Sequence, residues 1–243
     1  MRTLNFAKRN LKEIIRDPLS IIFAIILPLF LLFIFQQFKI PSDNYKLENF
    51  TPGVIIFSNA FLTLFTAMLV SSDRNTSLLI RLKVSPMTST NYILGYILSL
   101  IPIIVIQNIL LFTLAIILGL NISINLLLVI PVSIIISILF IVIGIIIGSI
   151  FTEKASSGIS SIILQLVIFT STMYFPKELL GNFFTKLCNI LPFESTLLII
   201  KNIMNNNTNA ISTKNIIIFS LYLLITTIIS IIIFNKKMLN NQK

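Results

Sequence analysis

Unbroken apolar runs of about twenty residues recur along this chain, and no other feature limits its fold as strongly. At about 1.5 Å rise per residue, such a run matches the roughly 30 Å hydrocarbon core of a bilayer. Within lipid every backbone N–H and C=O must be satisfied by the chain itself, which leaves helices or closed barrels. The long Ile, Leu and Phe runs lack the alternation of barrel strands, so the spans are read as helices. A mean hydropathy of +1.01 and a charged fraction of 11% lie well outside the range of soluble domains. The sequence therefore predicts an all-α polytopic membrane protein with six transmembrane helices, at residues 19–38, 54–70, 92–120, 126–151, 158–175 and 216–234. Pro28 and Pro102 lie inside spans and are expected to kink them.

The net charge of +10 does not point to nucleic acid, because the Lys and Arg residues fall between the apolar runs and not on one folded face. They orient the chain instead. With the amino terminus inside, twelve of the 18 basic residues face the cytosol (those at 2–16, 74–83, 154 and 236–243) and six face outward. Both termini are accordingly expected in the cytosol. A single cysteine, Cys188, and the absence of histidine exclude an intramolecular disulfide, the usual zinc sites and His-based triads. Residues 19–38 are too long for a signal-peptide core and no A-x-A-like site follows.

Three segments are not spans. Residues 1–18 contain an amphipathic helix on which Leu4, Ala7, Leu11, Ile14 and Ile15 share one arc, with Phe6 the exception, and which is expected to lie flat on the inner leaflet. A plain topogenic cap is the alternative. Residues 176–214 open with PKELLGNFFTKLCNILPFE, apolar but interrupted at Gly181 and Pro192, and are expected to dip into the outer leaflet and return. A plain external loop is the alternative there. Residues 72–91 form an internal connection holding Asp73, Arg74, Arg81 and Lys83 interleaved with Leu78, Leu79, Ile80, Leu82 and Val84, a mixture that a cytosolic partner can grip.

The chain has no phosphate-binding G-x-x-x-x-G-K-[ST] loop and no charge at the middle of a span, which argues against both an ATPase and an ion-coupled carrier. The polar residues inside spans are mild: Asn59, Thr63 and Thr66 in the second, Gln107 and Asn108 in the third, Gln165 with residues 170–172 in the fifth. They read either as interhelical hydrogen bonds or, for Asn59, Thr63 and Thr66, as a substrate path.

Asp73, Arg74, Ser77, Leu79, Arg81, Leu82, Ser85 and Pro86 resemble the signature in the first internal loop of ABC type-2 exporter permeases of the drug- and peptide-efflux branch. The stretch RNLKEIIRDPLSIIFAIILPLFLLFIF is similar to that family's interfacial helix and first span, and MYFPKELLGNFFTKLCNILPFE to its external re-entrant segment. The chain has Ser77 and Asn75 where the family often has glycine and a second acid.

The resemblance implies a six-helix permease subunit in a bacterial cell membrane, with residues 72–91 as a first coupling helix. It likewise implies residues 152–157, with Glu153 and Lys154, as the second coupling loop. It further implies two cytosolic ABC ATPase subunits that hold ATP and Mg, a second permease copy or a sister permease, no cofactor on this chain, and an amphipathic drug, toxin, antimicrobial peptide or lipid as cargo. A non-transporting sensor or assembly factor that borrows the ATPase contact is the competing reading; substrate-stimulated hydrolysis separates the two.

Overall fold

The computed structural model describes residues 2–18, 22–38, 40–76, 87–207 and 211–239, and among them it contains helices and no strand. Helix α1 (Arg2–Arg16) is followed by a π turn (Ile22–Ile26) leading into α2 (Leu27–Gln37). Then come α3 (Leu47–Asn75), α4 (Ser89–Ile117), α5 (Asn125–Ile150) and α6 (Glu153–Thr170). Two short helices, α7 (Asn182–Ile190) and α8 (Pro192–Met204), precede α9 (Thr213–Phe234).

Among the described residues four helices, α3, α4, α5 and α9, are each long and apolar enough to cross a membrane, and the α7–α8 pair adds a fifth candidate bent by 70° at its break. The six expected spans thus differ from the four helices that qualify on length and composition. The first span contributes a shorter apolar helix over Ile22–Gln37. The fifth, α6, starts at Glu153, five residues before the expected position, and its first turns are charged and serine-rich.

The π turn has a local cause. Pro28 lacks an N–H and its ring crowds the carbonyl of the residue four positions earlier, Ala24. That carbonyl is taken instead by the side-chain amide of Gln107 on α4. Pro102, by contrast, sits within an unbroken α4. Helix α4 stops where Gly119 adopts φ +110, a left-handed conformation that glycine accepts without a Cβ clash. Leu120 N–H then bonds to Ala115 O at 2.9 Å and Gly119 N–H to Ile116 O at 3.0 Å, the paired closing bonds of a Schellman end.

Helix α3 is the centre of the bundle and packs closest to α5. A Cβ at Gly144 would meet Thr63 O at 2.6 Å, and one at Gly148 would meet Ala67 O at 2.5 Å, so these two glycines let the α5 backbone lie directly on α3. At the end of the bundle away from α1, Tyr45 donates to Tyr174 O at 3.0 Å, and Phe35, Tyr45, Phe50 and Tyr174 pack as an aromatic cluster. There Lys177 holds both carboxylate oxygens of Glu194 at 2.8 Å and Asn189 Oδ1 at 2.7 Å, tying the α6–α7 connection to both arms of the bent pair.

Candidate functional site

The charged chemistry of the buried interior gathers at the last turn of α3. Asp73 is 1% exposed, and burying a carboxylate is costly unless other groups compensate its charge. Tyr96 of α4, fully buried, donates its hydroxyl to Asp73 Oδ2 at 2.8 Å. Arg9 of α1 brings Nη1 within 2.6 Å of Asp73 Oδ1. The same nitrogen donates to Asn10 Oδ1 at 2.9 Å while Nη2 pairs with Glu13 at 2.6 Å, so the one guanidinium is shared between Asp73, Asn10 and Glu13. Phe6 of α1 wedges edge-on against Tyr92 and Tyr96, at ring separations of 5.2 and 5.0 Å. Gly95 makes room for it, because a Cβ there would sit 2.5 Å from the Phe6 ring.

Arg74, the next residue, turns to α5. Its two terminal nitrogens donate to Ser149 O at 2.9 Å and Phe151 O at 2.7 Å, filling carbonyls that the end of a helix leaves without intrahelical partners. Adjacent residues of α3 therefore hold different helices: Asp73 binds α1 and α4, and Arg74 binds the end of α5. The chain leaves this junction directly into residues 77–86. Ser77, Leu79, Arg81, Leu82, Ser85 and Pro86 lie outside the described residues.

The α5–α6 connection is shorter than the range of 152–157 expected for the second coupling loop. Only Phe151 and Thr152 separate α5 from α6, and Glu153 and Lys154 belong to the first turn of α6, both exposed. An acid in the first turn complements the helix dipole, and Ser156 N–H bonds back to Thr152 O at 2.7 Å.

Asn59, Thr63 and Thr66 are each fully buried in the seam between α3 and α5. Asn59 donates to Ser133 Oγ at 3.3 Å and Thr63 to Phe140 O at 3.0 Å, while Thr66 packs over Gly144. Asn108 of α4 reaches the same Ser133 at 3.1 Å. In this arrangement the three residues act as interhelical contacts. The polar groups of α6 divide between two faces: Ser156, Ser160 and Thr170 are buried, while Ser161 and Gln165, with Gly158, lie at helical spacing on an exposed face. Two partners in the α3 junction had no signal in the sequence. Tyr96 reads as one aromatic among many in an apolar span, and Phe6 reads as off the apolar arc of α1.

The fold and the junction define a class, a helical multi-pass membrane protein whose buried charged groups sit at one end of its central helix. The chain belongs to the ABC-2 type transporter family, whose sequence model matches residues 3–205, from α1 through α8. That family supplies the transmembrane permease of an ABC transporter, not its ATPase. No curated protein matches the chain.

Proposed function

We propose that this chain is the membrane subunit of an ATP-driven exporter that moves an amphipathic drug, toxin, antimicrobial peptide or lipid outward. It works with two cytosolic ABC ATPase subunits, which carry ATP and Mg, and with a second permease copy or a sister permease. Both termini are cytoplasmic in a bacterial cell membrane, and the segment 72–91 docks in the ATPase through residues beyond Asp73 and Arg74, which are engaged within the bundle. The observation that carries this reading is the double grip of Asp73 and Arg74. It ties α1, α4 and the α5–α6 connection to the start of residues 72–91, so a displacement of that segment reaches four helices at once. ATP binding then shifts the bundle between inward-facing and outward-facing states by differential affinity. The exposed face of Gly158, Ser161 and Gln165 supports a second permease facing α6, since lipid solvates a side-chain amide poorly.

The test is co-expression with an ABC ATPase, followed by copurification and ATP hydrolysis assays with and without cargo. Copurification and cargo-stimulated hydrolysis are expected for the wild type. Leu79→Ser and Arg81→Ala are expected to insert normally yet retain less ATPase, because a buried Leu contact contributes roughly 1.5–3 kcal/mol and an Arg fork is not easily replaced. ATPase retention and export at wild-type levels in both variants overturn the docking assignment. Copurification without any cargo stimulation overturns transport in favour of a sensor.

A further inference from the structure

Helix α1 presents three faces, and the chain itself covers one of them. Phe6, Ala7, Asn10 and Ile14 are buried against the bundle. Leu4 and Ile15, each 54% exposed, form a second face with Leu11 between them. Among the described residues nothing buries Leu4 or Ile15, so in a membrane protein their solvent is acyl chain. The third face carries Lys8, Lys12 and Arg16, all exposed, which with Asn5, Arg9 and Glu13 line an open groove of about 710 Å³. Glu13 pairs with Arg9, and Arg9 also faces Asp73, so the uncompensated charge of the groove comes from Lys8, Lys12 and Arg16.

The two open faces are continuous. Leu4, Lys8, Lys12 and Arg16 follow one another at i, i+4 spacing, a row that winds slowly from the lipid-facing arc to the groove. A helix whose apolar face enters the acyl boundary by about 5–10 Å places the next residues of such a row at headgroup depth. The other end of the chain arrives at the same level: Phe234 of α9 packs on Tyr92 and Tyr96, the rings that hold Phe6, and exposed Lys236 and Lys237 follow it.

We infer that this basic face is a binding site for the phosphate headgroups of anionic phospholipids in the leaflet that α1 occupies, with Lys236 and Lys237 extending it. The inference needs the chain to sit in a bilayer and is independent of its cargo and its ATPase. A lipid fits better than a protein partner because the cations grade directly into the acyl-facing arc, whereas a cytosolic protein meets the side turned away from the bilayer.

The test uses the full-length chain in a neutral detergent, offered equal amounts of phosphatidylglycerol and phosphatidylcholine, with bound lipid counted by native mass spectrometry. The wild type is expected to prefer phosphatidylglycerol. The Lys8→Gln/Lys12→Gln/Arg16→Gln variant is expected to bind it roughly a hundredfold more weakly, about fivefold per cation removed, with phosphatidylcholine unchanged. Lys8→Arg/Lys12→Arg is expected to keep the preference, and single Gln variants at the three exposed positions provide the graded loss if the triple variant fails to fold. No preference in the wild type, or an unchanged preference in the Gln variants, overturns the proposal. Unchanged lipid preference together with loss of a copurifying ATPase assigns the groove to that protein and overturns it equally.

Discussion

Helices α3 and α9 both meet the length and apolarity of a membrane span, yet 89% of the apolar window of α3 is buried inside the protein and only 11% of that of α9. The more apolar helix is the exposed one. In water this order would be reversed. In lipid, apolarity does not separate inside from outside, because acyl chains are as apolar as Leu; close backbone approach and interhelical hydrogen bonds do. Helix α3 meets Gly144 and Gly148 and sends Asn59, Thr63, Asp73 and Arg74 to three other helices. Helix α9 turns its threonines on itself, with Thr226 and Thr227 bonding to the carbonyls of Tyr222 and Leu223 at 2.7 and 2.6 Å. A polar side chain whose partner lies on another helix marks where a span touches protein.

The contrast is broken most directly at the glycines. Gly148→Leu drives a side chain into the α3 backbone at Ala67 and is expected to cost about 3 kcal/mol, seen as a lowered thermal midpoint in detergent; an unchanged midpoint would show that α3 and α5 are not in contact there. Asp73→Ala removes the acceptor of Tyr96 and the counter-charge of Arg9, for roughly 2 kcal/mol. A double-mutant cycle with Tyr96→Phe is expected to show coupling of about 1 kcal/mol, and strict additivity would refute the contact.

Gln107→Leu leaves the Ala24 carbonyl without its side-chain donor and is expected to cost roughly 1–2 kcal/mol. Adding Pro28→Ala supplies a backbone N–H for that carbonyl and is expected to recover part of the loss, so a further loss in the double variant would rule out the exchange. The smallest effect is expected on α9. Leu224 is 60% exposed, and Leu224→Ala should cost less than about 0.5 kcal/mol, leaving the midpoint nearly unchanged, because only lipid contact is lost. A loss as large as that at Gly148 would place a protein partner against α9.

Much of this fold was legible from hydropathy alone, since α4, α5 and α9 fall within a few residues of their expected spans. The ends were less so. Helix α3 was expected at 54–70 and runs Leu47–Asn75, because Asp73 and Arg74 are stabilised by partners on α1, α4 and α5 that no hydropathy window contains. The same limit hid Phe6, which lies off the apolar arc of α1 and yet is buried, since the helix divides that arc between protein and lipid.

The amino-acid sequence by itself determined that the chain is helical and crosses a membrane, because a bilayer forces helix on every long apolar run and leaves little for distant contacts to decide. The order of three motifs, the interfacial helix with its Asp-Pro, the stretch Asp73–Pro86 and the segment before the last span, likewise carried the resemblance to exporter permeases. The tertiary structure decided which spans are central and which peripheral, and which of two adjacent charged residues holds which neighbouring helix. Those outcomes depend on glycines meeting a particular backbone and on single hydrogen bonds between residues more than twenty positions apart. Each such choice is worth a kilocalorie or two and has no periodic trace in the sequence.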